Sequence, residues 1–121
     1  MFGDASEPFE LVSSPELIHV IRAFAEPIAA AETIARYIAQ LVSQLCERLD
    51  AKALGARKLD LVFFRVDSEL QAIRVGTAKP VRDAKRLTRL LCDRIETVSP
   101  GFGIERMILA APATEPLSYK A

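Results

Sequence analysis

ARKLDLVFFRVDSELQAIRVGTAKP, residues 56–80, reads as two strands joined by a turn. Successive side chains of a strand point to opposite sides. Leu59, Leu61 and Phe63 therefore share one face, and Lys58, Asp60, Val62 and Phe64 share the other. Asp67, Ser68 and Glu69 supply the turn, since Asp and Ser side chains bond readily to nearby backbone. In the return strand Ile73 and Val75 fall on one face, and Ala72, Arg74 and Gly76 on the other. Pro80 closes it, because proline has no N–H to give to a ladder. One face of such a ribbon must cover a core. The other offers Val62 and Phe64 beside Lys58 and Arg74.

The flanking sequence supplies what covers the first face. Residues 16–25, ELIHVIRAFA, are rich in Ile, Val, Leu and Phe and read as a strand ended by Pro27. That strand mixes apolar residues of both parities, so its faces stay unassigned. Over residues 29–52 the period changes. Ile34, Ile38, Leu41, Val42, Leu45 and Leu49 recur at steps of three and four, one face of a long helix. Glu32 near its start suits the helix dipole, and Gly55 stands where a left-handed cap is usual. After the ribbon, Asp83 is placed to cap a second helix carrying Leu87, Leu90, Leu91, Ile95 and Val98. SPGFG at 99–103 breaks it, and IERMILAA at 104–111 forms a last strand. The tail from Pro112 reads as loop and residues 1–15 as a linker, leaving 16–111 as the folded domain.

The order is β-α-β-β-α-β, an α+β chain. Short right-handed connections fold that order into one four-stranded sheet with both helices on one face. Leu59, Leu61, Phe63, Ile73 and Val75 are expected to face the helices, and Val62, Phe64 and Arg74 to face outward.

Composition narrows the function. The chain has 121 residues, half of them hydrophobic, enough for one domain with an ordinary core. No apolar run approaches the roughly 20 residues of a membrane span, and the acidic, polar start is not a signal peptide. Cys46 and Cys92 read as reduced, packed thiols of a cytoplasmic protein. The single histidine, His19, has no partner at metal-ligand spacing. The formal charge of zero hides an asymmetry: residues 56–94 hold ten Lys/Arg against five Asp/Glu, a balance of +5. A basic side is thus compatible with a neutral chain. No phosphate-binding glycine loop, zinc-type cluster or Ser/His/Asp set is present. The chain reads as non-enzymatic and free of cofactors and metals.

FAEPI (24–28), GARKLDLVFFRVD (55–67), RVGTAKPVRD (74–83) and PGFGIERMIL (100–109) follow one another in this order. Together they resemble the little-finger domain of the ImuB-type relatives of Y-family DNA polymerases, over about residues 16–117. The resemblance implies a piece of a longer protein, with palm, fingers and thumb before Met1 and a partner-binding tail after Ala121. It implies an accessory role in damage-induced (SOS-type) translesion synthesis and mutagenesis, without catalytic residues here. The implied partners are an ImuA-like protein, an error-prone polymerase and, through regions outside these residues, the sliding clamp. It further implies that the open sheet face meets DNA weakly and without sequence preference, since Lys and Arg displace counterions from phosphates. Lys58, Arg74, Lys79, Arg82 and Arg106 are the phosphate-contacting candidates.

The outward positions of the second strand depart from a basic pattern. They are Asp60, Val62 and Phe64, and exposed apolar groups in a patch mark a protein contact. Two expectations follow: weak DNA binding through Arg74 and the loop cations, or a docking surface centred on Val62 and Phe64. The alternative to both is a protein-interaction or dimerisation module that binds no DNA.

Overall fold

The computed structural model describes residues 17–117. The linker expected over 1–15 and the last four residues lie outside them. Strand β1 is Ile18–Ile28, helix α1 Ala31–Ala51, β2 Leu54–Arg65, β3 Leu70–Val81, helix α2 Ala84–Cys92 and β4 Ile104–Pro116, with a 3-10 turn at Ile95–Thr97. The strands form one antiparallel sheet in the order β1-β4-β2-β3. Both helices cover one side of it, as the element order implied.

The ribbon's parity holds. Leu59, Leu61 and Phe63 are buried, and so is Ile73, while Val75 is half-buried against them. Strand pairing extends each position into a row across the sheet. Val20, Leu109, Leu61 and Ile73 form one buried row. In the next row Met107 and Phe63 are buried between the half-buried Gln71 and the exposed Arg22. The six helical positions Ile34, Ile38, Leu41, Val42, Leu45 and Leu49 are all buried, as are Leu87 and Leu91 of α2. Near the far end of β1, Phe24 packs edge-on to Tyr37 of α1 with ring centroids 4.7 Å apart.

Local chemistry explains the joints. The Asp83 carboxylate accepts from the Lys85 N–H at 3.1 Å and caps α2. In the β2–β3 turn the Arg65 N–H donates to the Glu69 carbonyl, Ser68 takes φ 71°, and the Glu69 N–H donates to Asp67 Oδ1. The left-handed residue after α1 is Ala53 (φ 55°), not Gly55. Gly55 is needed for a different reason. A Cβ there would lie 2.7 Å from Pro80 Cβ and 2.9 Å from Leu117 Cδ2, so β2 is pressed against its neighbours at a point where only glycine clears them.

Three expected boundaries move. β1 passes through Pro27 to Ile28, because ladder pairing is already interrupted between Ala23 and Ile28 and β1 is an edge strand. The second helix ends at Cys92, and Ile95 and Val98 reach the core from the 3-10 turn and the segment after it. The largest correction is at the tail. β4 does not stop at Ala111 but pairs on with β2, Ala113 opposite Lys58 and Pro116 opposite Leu54. Pro112 falls in the register shift between those two stretches, and past Ala111 only β2 pairs with β4 among the described residues. An irregular, one-sided ladder tolerates the prolines that read locally as a stop.

Candidate interaction surface

The side of the sheet away from the helices is uncovered. Its side chains form three rows. The middle row, Ile21, Ile108, Val62 and Ala72, runs across all four strands and is wholly apolar. Ile21 is 52% exposed, and Val62 and Ile108 are half-buried by their neighbours. The row toward the β2–β3 turn holds Ala23, Arg106, Phe64 and Leu70, with Leu70 59% exposed. The row on the other flank holds His19, Ala110, Asp60 and Arg74.

The cations of this face are largely engaged. The Arg106 guanidinium lies over the Phe64 ring, 4.3 Å from its centroid, a contact of roughly 0.5–1 kcal/mol at an exposed site. Arg74 Nε sits 3.5 Å from Asp60 Oδ1, with the Arg74 side chain 78% exposed. Such a surface pair is worth about 0–1 kcal/mol. It is weak, but it sets a negative charge beside the most prominent cation. Lys58, exposed at the β2 bulge, lines a shallow depression with Asp60, Arg74, Val75, Gly76 and Pro112.

The five phosphate-contacting candidates therefore divide. Lys58, Arg74 and Arg106 share the open face. Lys79 is exposed on the β3 edge, in a bulge where five β3 steps oppose two of β2. That bulge is stitched by Thr77, whose single hydroxyl proton is shared between the Lys79 carbonyl at 2.7 Å and the Ala56 carbonyl at 3.2 Å, and by Arg57 Nε donating to the Thr77 carbonyl. Arg82 lies elsewhere. Its side chain is only 9% exposed, 3.4 Å from Asp50 and donating to the Leu54 carbonyl, so it ties the exit of β3 to the end of α1. Val62 and Phe64 are legible in the sequence as outward residues, whereas Ile21, Ile108 and Leu70 are not. Their signal required the registers of β1 and β4, which the mixed parity of β1 concealed.

Among the described residues, the resolved titration shifts fall on two thiols and on the Arg65–Asp67 pair. Burial pushes the Cys46 thiol up to about 11, helped by the Asp83 charge and opposed by Arg82. Burial also raises Cys92. Both thiols are free and protonated near neutrality. Asp67 is held below the usual carboxylate range by its hydrogen bond from Arg65. Among the described residues no cluster of His, Cys, Asp and Glu is suited to a metal, and no helix is long and apolar enough to cross a membrane.

A four-stranded antiparallel sheet in the order β1-β4-β2-β3, backed by two helices and bare on the other side, defines a little-finger-like domain of the Y-family polymerase type. The little finger domain of PolIV, solved as a complex with the β-clamp processivity factor, superposes with a TM-score of 0.64 at 19% identity, covering 88% of this chain and 96% of that one. The polymerase of a Dbh ternary complex gives 0.69 at 5% identity over 84% of this chain and 30% of its own, and DinB from Sulfolobus solfataricus gives 0.68 at 5% identity over 84% and 29%. At those identities the likeness is one of fold. Residues 16–111 match the model of the impB/mucB/samB family C-terminal domain, and the chain belongs to that family. Protein ImuB of two Caulobacter vibrioides strains (NA1000/CB15N and ATCC 19089/CB 15) is 44% identical over 96 residues, 79% of this chain. The matched stretch is 21% of the length of those relatives.

Proposed function

We propose that the domain is a non-catalytic accessory module of an ImuB-type translesion-synthesis protein acting in damage-induced mutagenesis, and that its bare sheet face docks another protein. One observation carries the docking reading: the apolar row Ile21, Ile108, Val62 and Ala72, continuous across four strands and bordered by the Arg106–Phe64 stack and by Leu70. Exposed apolar area of this kind gains free energy only when another apolar surface covers it. Arg and aromatic side chains beside it are the types that dominate binding energy in interfaces. The partners fitting this reading are the other proteins of the damage-response assembly, an ImuA-like protein or an error-prone polymerase. Contact with a sliding clamp extends the reading from the PolIV complex.

Weak, sequence-independent DNA binding is the second part of the proposal, supported by the +5 balance of residues 56–94. The docking part is tested by pull-down of purified ImuA-like protein and polymerase with the 121-residue chain and with Phe64→Asp. The expected result is loss of a partner with circular dichroism unchanged. Retention of every partner by a folded Phe64→Asp variant overturns it.

A further inference from the structure

One end of the sheet carries an aromatic side chain that the core does not use. Phe102, between α2 and β4, is 89% exposed. The backbone beneath it is tightly held. The Gly103 N–H donates to the Pro100 carbonyl at 2.8 Å, and the Gly103 carbonyl accepts from the Val66 N–H at 3.1 Å. The Ser99 N–H donates to Gln71 Oε1 at 2.8 Å, and Arg65 Nη1 donates to the Ser99 carbonyl at 3.1 Å. Gly101 and Gly103 take φ 58° and 135°, and a Cβ on them would lie 2.7 Å from Arg65 Nη2 and 2.5 Å from Pro27 Cβ respectively. Backbone bonds and glycines therefore build this loop, and a polar residue at its tip would serve the turn as well as phenylalanine does.

The ring does not stand alone. Of the five large apolar side chains exposed among the described residues, Val66, Leu70 and Phe102 fall at this end. Single exposed apolar residues are ordinary, whereas a group of them marks a contact surface. Val66 ties the tip to the β2–β3 turn through Gly103, and Leu70 leads from that turn to the edge of the apolar row on the bare face. The charge around the tip is acidic. Residues 24–28, 65–70 and 93–106 form this end and hold six Asp/Glu against three Arg, a balance of −3. Arg65 pairs with Asp67 and Arg106 lies over Phe64, while Arg94 is exposed. Glu26, Glu69, Asp93, Glu96 and Glu105 are exposed, and among the described residues none forms an ion pair.

Resting on the docking part of the proposed function, we infer that Phe102 is the anchor of that contact and enters an apolar socket, rimmed by Lys or Arg, on the partner protein. A ring on a loop already ordered by its own hydrogen bonds loses little conformational freedom on binding. Aromatic anchors seated in desolvated pockets carry much of the binding energy of interfaces. The unpaired carboxylates around the tip favour a cationic rim on the partner and repel a polyanion. Stacking a base of unpaired DNA on the ring would set the strand's phosphates among those carboxylates, so nucleic acid is the less fitting occupant.

The test is biolayer interferometry of the 121-residue chain against purified ImuA-like protein, error-prone polymerase and sliding clamp, repeated with Phe102→Ser and Glu69→Lys/Glu96→Lys. Phe102→Ser is expected to keep the parent's melting temperature and to bind one of the three roughly thirtyfold more weakly. Glu69→Lys/Glu96→Lys is expected to slow association of that same partner at low salt and to leave its dissociation nearly unchanged. The chain has no tryptophan, so Phe102→Trp carrying fluorotryptophan gives a single fluorine resonance, which is expected to shift and lose solvent contact when that partner is added. A folded Phe102→Ser chain that binds every partner as the parent does, or a fluorine resonance unmoved by a bound partner, overturns the anchor while docking itself stands. Faster association of the lysine variant overturns the cationic rim. Weaker binding of a labelled single-stranded oligonucleotide by Phe102→Ser assigns the tip to a nucleobase and overturns the assignment to protein. If none of the three proteins binds the parent chain, the docking reading fails and this inference with it.

Discussion

Phe63 and Phe64 are adjacent in sequence, and the fold predicts that they are energetically unlike. Phe63 is fully buried among the rows under α1. Truncating a buried phenylalanine costs about 3–5 kcal/mol, transfer and cavity together. Against a total of roughly 5–15 kcal/mol for an ordinary domain, Phe63→Ala leaves little margin and lowers the melting temperature by tens of degrees, at about 4–8 °C per kcal/mol. Phe64 is half-buried on the bare face, in contact with Arg106. Phe64→Ala removes about half of a full burial term plus the cation contact, roughly 1.5–2 kcal/mol together. The expected shift is about 5–15 °C. The chain contains no tryptophan, so far-UV circular dichroism during thermal and urea unfolding is the suitable readout. Equal losses, or a larger loss for Phe64→Ala, would refute the assignment of faces, and with it the docking row.

Gly55→Ala places a Cβ against Pro80 and Leu117. It is expected to destabilise by about 1–3 kcal/mol through overpacking, read as a drop in urea midpoint at constant m-value. Cys46, held near 11 against an ordinary 9.0, is expected to react with a disulfide reagent at pH 8 roughly tenfold more slowly than in the unfolded chain, where far more of it is thiolate, the higher nucleophilicity of the less acidic thiol offsetting part of the difference. The unfolded thiol ionises first, so the Cys46 contribution to stability is full below pH 9 and declines as pH rises from 9 toward 11. A Cys46→Ser variant with the same decline would assign it to other groups.

The ribbon was legible because its alternation is strict and both strands obey it, and because Asp67 and Asp83 have local roles that need only backbone within two residues. Helix α1 was legible because six apolar positions keep one period, and all six are buried. What escaped was set by contacts between distant segments. Pro112 and Pro116 read locally as breakers, and only the one-sided pairing of β4 with β2 makes them tolerable. Arg82 reads as a loop cation near Lys79, but the burial of its side chain against Asp50 follows from how α1 meets β3. Likewise Ile21 joins Ile108 and Val62 only once β4 is known to lie between β1 and β2.

A sheet face that is covered by protein loses water on docking, and an unpaired cation stranded there would be left desolvated at a cost of kilocalories. On the bare face Arg74 has Asp60 and Arg106 has Phe64, so each can enter an interface with a neighbour already in place. Lys58, which forms no ion pair among the described residues, is exposed at the flank beside the β2 bulge and can keep its water. Phe64→Asp removes the ring under Arg106 and sets a carboxylate on that face, so docking is expected to weaken in a folded chain. Charge reversal on the far side of the sheet, Lys85→Glu/Arg89→Glu on α2, is expected to leave docking intact. If it weakens docking as much as Phe64→Asp does, the bare face is not the docking surface.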